Sequence, residues 1–282
     1  MEQFRFKVRV NCMTFNHAPY IVDALNGFCM QETTFPFVCI IIDDASTDGE
    51  PEIIKAYLEE NFDLDDKAIV RNEETENYRL VFARHKTNLN CYFVALFLKY
   101  NHYSIGKPKG RYYKEWTNTK YIAICEGDDY WLNSQKLQKQ VDFMESNQQY
   151  GLTRTDTNRL IGDRVENDFF HNKSTINDTF RDYLLHAWWA APCTWMFKAS
   201  LYVKYCSDVV PQLLEKHAFT GDIAQLLFFL KESKVGYIAD SMSVYRIVEG
   251  SASHNTTYKK SKDFYISILR TRFYFAKNEP FW

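Results

Sequence analysis

No glycine-rich phosphate loop occurs in these 282 residues: neither G-x-G-x-x-G nor G-K-[S/T] is present. Dinucleotide oxidoreductases and P-loop enzymes hold phosphates on backbone N–H groups at such glycines, so both classes are excluded. Sugar-phosphate nucleotidyltransferases, which usually open with a glycine-rich loop, fail on the same ground. Cysteine pairs are lacking too. The seven cysteines (12, 29, 39, 91, 125, 193, 206) are odd in number, scattered, and form no C-x-x-C. That excludes a disulfide framework or zinc site and predicts reduced, buried thiols in a cytosolic chain. No segment approaches the ~18 consecutive apolar residues of a membrane span. The opening MEQFRFKVRVNC has no apolar signal-peptide region, so a cytoplasmic location is expected. The N-x-S/T sequons at Asn172, Asn177 and Asn255 then carry no meaning. With a formal charge of −2, no global field calls for nucleic acid.

What is present is aromatic and periodic. Aromatic residues make up 17% of the chain, which suits either a carbohydrate-facing cleft or a bulky core. The length allows one large α/β domain or two small ones. Phe6–Thr14 alternates, with Val8, Val10 and Cys12 on one face and Lys7, Arg9 and Asn11 on the other, as a half-buried strand does. Pro19 then opens a helix through Ile21, Leu25 and Phe28. The run at Phe37–Ile42 reads as a buried parallel strand, followed by Asp43-Asp44 and a helix over Pro51–Glu60. Lys67–Arg71 is expected to be a third strand and Phe93–Tyr100 part of a third helix. Strand and helix alternating in this way imply a parallel sheet with right-handed crossovers.

Lys120–Cys125 is another short apolar strand, and it ends in Glu126-Gly127-Asp128-Asp129. Three carboxylates within four positions, two of them spaced to project to one side, suit a hard divalent cation such as Mg²⁺ or Mn²⁺. A solvated acidic turn would look the same. The balance shifts because Thr14, Asp43-Asp44 and Glu126–Asp129 all sit at the carboxyl ends of predicted strands, where parallel sheets bind ligands.

Tyr103–Trp116 reads as an inserted basic surface loop. Asn133 or Ser134 can cap a helix with Leu137, Val141 and Met144 inward. Thr153–Asp182 reads as loops and short strands, Gly221–Leu230 as an apolar helix, and Val235–Val244 as a late strand. Trp188, Trp189 and Trp195 can stack on sugar rings or pack a core. The tail over Ser261–Lys277 is a basic amphipathic helix that can lie on an anionic membrane or cap the core.

Four stretches together resemble the family 2 glycosyltransferases, inverting enzymes of the GT-A fold, especially bacterial members that build surface polysaccharides. They are MTFNH (13–17), IIIDDASTDG (40–49), YIAICEGDDYW (121–131) with KLQKQVDFM (136–144), and TGDIAQLLFFLKESKVGYIADSMSVYR (220–246). The resemblance implies a single GT-A-like α/β domain over 1–282, a mainly parallel central sheet flanked by helices. Its nucleotide-sugar-binding half is 1–131 and its acceptor-binding half 132–282. Thr14, Asn16, Asp44, Glu126, Asp128 and Arg246 are then expected to meet the nucleotide-sugar donor, a UDP-sugar first of all. Asp128 would bind Mg²⁺ or Mn²⁺, joined by Glu126, which stands where the family has an Asp, and by His254 as a late ligand. Asp222 would be the general base. The partners implied are the donor, a saccharide or lipid-linked acceptor and the inner membrane surface. The family's R-x-H is here Arg246-Ile247-Val248, and the segment near 101–119 has no counterpart. The other reading the motifs leave open is a catalytically degenerate nucleotide-sugar-binding partner of another transferase.

Overall fold

A computed structural model describes residues 4–169, 179–186, 191–215, 221–251 and 257–277. In chain order the elements are β1 (Phe6–Thr14), α1 (Ile21–Cys29), β2 (Phe37–Asp43), α2 (Glu50–Asn61), β3 (Phe62–Asp63), β4 (Arg71–Glu74), β5 (Tyr78–His85), β6 (Cys91–Leu98), β7 (Thr119–Ile124) and β8 (Tyr130–Trp131). There follow α3 (Lys136–Ser146), β9 (Tyr150–Ile161), β10 (Arg164–Glu166), α4 (Phe180–His186), β11 (Trp195–Lys198), α5 (Ala199–Asp208), α6 (Val210–Glu215), α7 (Gly221–Glu232), β12 (Lys234–Ile247) and α8 (Tyr258–Lys277).

One mixed sheet runs through the molecule in the order β3-β5-β6-β2-β1-β7-β11-β9-β12-β8, with β4 on β5 and β10 on β9. Its heart is parallel, since β6, β2, β1 and β7 all point the same way. Antiparallel strands join on both sides: β5 on β6, and β11 between β7 and β9. Alternation along the central strands fills two cores at once. Phe37, Cys39 and Ile41 of β2 face α1 and α2, while Val38, Ile40 and Ile42 face a second cluster with Phe82 and Trp116. A third cluster joins Ile122 and Phe197 to α5, α7 and α8.

Several expectations are corrected. Phe93–Tyr100, expected to be part of a third helix, instead falls largely in β6 (Cys91–Leu98), a strand buried along nearly its whole length between β2 and β5. An apolar run with both faces covered has no periodicity to separate strand from helix, and its Tyr, Phe and Val content favours strand. The strand expected at Lys67–Arg71 begins only at Arg71, after a turn closed by Ile69 and Val70 N–H on the Asp66 carbonyl. The region from Thr153 contains a twelve-residue strand, β9, rather than short pieces. Its pattern was hidden because Thr153, Arg154, Thr155, Asp156 and Thr157 are polar yet buried, with Tyr237 Oη donating to Asp156 at 2.8 Å. Helix α3 starts at Lys136, and the Asn133 side chain accepts the Gln135 N–H at 2.8 Å, just ahead of the helix. All seven cysteines are free thiols, as expected, but Cys206 is exposed rather than buried.

Candidate active site

The site forms where the carboxyl ends of β2, β1 and β7 lie side by side. Backbone pairing continues past the strand ends and fixes the motifs relative to one another. Asp44 N–H donates to the Thr14 carbonyl at 3.0 Å, and Gly127 N–H to the Met13 carbonyl at 3.0 Å. The Asp43-Asp44 turn and the Glu126–Asp129 turn are thus both hung on the end of β1.

Gly127 is required by close approach. A Cβ there would stand 2.1 Å from Thr14 Oγ1 and 2.7 Å from Thr14 Cβ. Gly127→Ala should push the acidic turn off β1, costing ~1–3 kcal/mol in chemical denaturation, the range for overpacking a tight contact. Urea unfolding of the variant checks this, and an unchanged midpoint would refute the contact.

Behind the Thr14–Ala18 loop lies a network that sequence reasoning did not find. Glu50, the first residue of α2 and fully buried, accepts the Thr14 hydroxyl, the His17 N–H at 2.9 Å and the Ser46 hydroxyl at 2.8 Å. Asn16, in the left-handed region at φ 57°, accepts Thr47 N–H at 2.8 Å and gives its own N–H to Ser46 Oγ at 2.9 Å. Thr14 and Asn16 are therefore brought to the site, but their side chains are engaged with protein and shape the loop. In sequence, Glu50 reads only as an acid favouring a helix N-terminus.

Asp128 is partly covered, and His17 Nε2 stands 3.9 Å from its carboxylate. His17 belongs to the quoted MTFNH stretch but had been given no role. Glu126 has solvent access, yet its carboxyl is pushed up to about 8 by desolvation, then by Asp128 and Asp222. That influence brings Asp222, at the start of α7, within electrostatic range of the acidic turn. Asp222 has solvent access too, yet the surrounding protein raises its carboxyl above the ordinary range by desolvation, even though its Oδ1 accepts the Ile223 N–H at 2.8 Å. A helix N-terminus alone would have lowered it; desolvation outweighs the dipole here.

Arg246 reaches the site from β12. Its Nη1 donates to the Asp128 carbonyl at 2.9 Å, Nη2 pairs with Asp23, and the guanidinium stacks 4.6 Å from the Tyr130 ring centroid. The neighbouring Asp129, buried, accepts the Arg246 N–H at 2.9 Å. Arg246 is thus a strut that holds the Asp128-Asp129 turn through its backbone. Asp44, also buried, is bound by the segment after β6, as described below. Trp195 is buried in the core, packed with Phe197 and Leu152, and has no face free for a sugar. His254, Trp188 and Trp189 lie outside the described residues.

Among the described residues, no three His, Cys, Asp or Glu side chains converge to hold a metal by themselves. The donor set still fits Mg²⁺ or Mn²⁺, because those ions are commonly held by one or two carboxylates while phosphates and water complete the octahedron. Glu126 and Asp128 place two carboxylates close together, and a divalent cation would compensate their negative charge.

Residues 12–87 match the family model described as Glycosyl transferase family 2. The uncharacterized protein Rv1520 of Mycobacterium tuberculosis and Mb1547 of Mycobacterium bovis are each 26% identical over 238 residues, covering 83% of this chain and 57% of theirs. The chain therefore spans a little over half the length of those relatives. Among solved structures, S. aureus TarS 1–349 in complex with UDP-GlcNAc is similar with a TM-score of 0.52 at 18% identity, over 93% of this chain and 66% of that one. The mannosyltransferase PcManGT from Pyrobaculum calidifontis, in complex with GDP-Man and Mn²⁺, aligns with a TM-score of 0.50 at 14% identity, over 98% of this chain and 77% of that one. At those identities the likeness is one of fold. The family 2 match thus covers the first strands and the Asp43-Asp44 turn, and the likeness over nearly the whole chain is that of a GT-A-type fold.

Proposed function

We propose that this chain transfers a sugar from a nucleotide-sugar donor, with inversion, to a hydroxyl of a saccharide or lipid-linked acceptor in bacterial surface polysaccharide synthesis. The observation that carries the reading is that Thr14, Asp44 and the Glu126–Asp129 turn are hung together at the carboxyl ends of parallel strands, with Asp222 close enough to act electrostatically on Glu126. The complexes of structurally similar proteins with UDP-GlcNAc and GDP-Man support a nucleoside diphosphate sugar as donor.

In this reading Asp44 lies on the side of the base, and Asp128 with Glu126 faces the diphosphate, holding Mg²⁺ or Mn²⁺. A bound divalent cation supplies electrostatic stabilisation of the departing diphosphate. His17 adds a donor beside Asp128, and the Glu50 network holds its backbone in place. The acceptor hydroxyl attacks the anomeric carbon from the face opposite the diphosphate. Asp222 takes the hydroxyl proton as that bond forms, and its raised basicity suits the task. A thermal-shift screen of nucleoside diphosphates and nucleotide sugars with Mn²⁺ tests the donor assignment. A binder should raise the melting temperature as ligand exceeds its dissociation constant.

Location follows from α8. No helix among the described residues is long and apolar enough to cross a membrane. Helix α8 packs Thr271, Tyr274 and Phe275 inward and leaves Tyr258, Tyr265, Leu269 and Phe273 exposed on its opposite side, flanked by Lys259, Lys262 and Arg270. An apolar stripe edged by cations fits an anionic lipid surface, here the cytoplasmic face of the inner membrane. Vesicles containing phosphatidylglycerol should pull down the protein and neutral phosphatidylcholine vesicles should not. Tyr265→Ser with Phe273→Ser should abolish that binding, and undiminished sedimentation of the double variant would contradict it.

A further inference from the structure

The segment after β6 was expected to be a solvated loop, but it closes onto Asp44. The Asp44 carboxylate accepts His102 N–H at 2.8 Å on Oδ1 and Tyr103 N–H at 3.0 Å on Oδ2, and Lys109 Nζ stands 2.8 Å from the same Oδ2. Asn101 Nδ2 adds a bond of 3.1 Å to the Asp44 carbonyl. His102 is fully buried, stacked on Tyr100 with ring centroids 4.7 Å apart, and its Nε2 lies 2.9 Å from Tyr112 Oη. Lys107 N–H closes the turn on the His102 carbonyl at 2.9 Å. These contacts make a built clamp, and it starts from the carboxyl end of β6, the strand beside β2.

A carboxylate offers about four lone-pair sites. Three donors already use most of the Asp44 capacity, and the residue is buried. Lys109 has donors to spare: an ammonium carries three hydrogens, only one of which Asp44 needs. Its side chain also keeps 17% of its surface open, against 4% for Asp44.

We propose that the nucleobase of the donor is recognised through Lys109, held in place by Asp44, so that the inserted segment sets nucleotide preference. The ammonium donates to a carbonyl oxygen on the base, which favours uracil or guanine over adenine. Asp44 acts as the positioning residue: it fixes the ammonium and orders the clamp, and the base N–H is not its partner. This rests on the proposed donor site, and the test separates the two.

Calorimetry with UDP, GDP, ADP and inorganic pyrophosphate in Mn²⁺ is run on wild type, Lys109→Met and Lys109→Arg. Wild type should favour UDP or GDP over ADP by about 10-fold or more, as expected for a charge-assisted hydrogen bond in a partly desolvated site. Lys109→Met should lose that preference while pyrophosphate binding stays intact, which also reports that the variant is folded. Lys109→Arg should recover part of it. Unchanged discrimination among nucleotides in Lys109→Met, with pyrophosphate still bound, would overturn the role of Lys109 and leave the donor site standing. Failure of wild type to bind any of the four ligands would overturn both.

Discussion

Asp222→Asn should leave donor affinity near wild type while the transfer rate falls by ~10²-fold or more, the usual worth of a general base. The substitution keeps shape and the bond to Ile223 N–H, since the amide oxygen can still accept, so a merely structural role predicts almost no change. The pH profile gives a second readout. Desolvation by the surrounding protein raises the carboxyl of the solvent-accessible Asp222, so it should stay protonated, and inactive as a base, to a higher pH than an ordinary aspartate. The wild-type rate should climb as pH rises through that raised value, and the limb should vanish in Asp222→Asn. Wild-type turnover in the variant would remove Asp222 from catalysis, and loss of donor affinity alone would make it a substrate contact.

Asp128→Ala should weaken metal-dependent diphosphate binding by ~100-fold or more, because loss of even outer-shell partners commonly costs 10–100-fold. The fold should survive. The turn is fixed by its backbone, through Gly127 N–H on Met13 and Arg246 on the Asp128 carbonyl, and neither bond uses the Asp128 side chain. Electron paramagnetic resonance of free Mn²⁺ reads metal binding directly, and calorimetry with and without EDTA reads the nucleotide. Equal diphosphate affinity for wild type and variant in EDTA and in Mn²⁺ would take the metal out of the mechanism.

How far the sequence anticipates this site depends on the range of each contact. The strands at Phe6–Thr14 and Phe37–Asp43 and the turn after Ile124 were legible because one-sided alternation or a short run ending in acids is a local signal. Helix α3 was legible for the same reason: Leu137, Val141 and Met144 recur at helical spacing and are buried. Strand β6 was not, because burial on both faces erases the period. Strand β9 was missed for the converse reason: its buried residues are polar and find partners only in the folded sheet. Among site residues, those that end strands were found, and of those that hold them Arg246 was named only as a donor contact while Glu50 and Lys109 were given no holding role. Glu50 meets Thr14 across 36 positions, and Lys109 meets Asp44 across the length of β3 to β6. No local pattern records such a pairing. The direction of the Asp222 shift was likewise beyond a helix-dipole argument, because only the fold brings up the surrounding protein whose desolvation reverses it.

The central claim is that the cleft at the carboxyl ends of β2, β1 and β7 binds a nucleotide sugar together with a divalent cation. The most direct measurement is calorimetric titration of the wild-type protein with UDP- and GDP-sugars, once in Mn²⁺ and once in EDTA. Saturable one-site binding of at least one donor in Mn²⁺, lost or sharply weakened in EDTA, is the predicted result; no binding of any nucleotide sugar in either condition would contradict it.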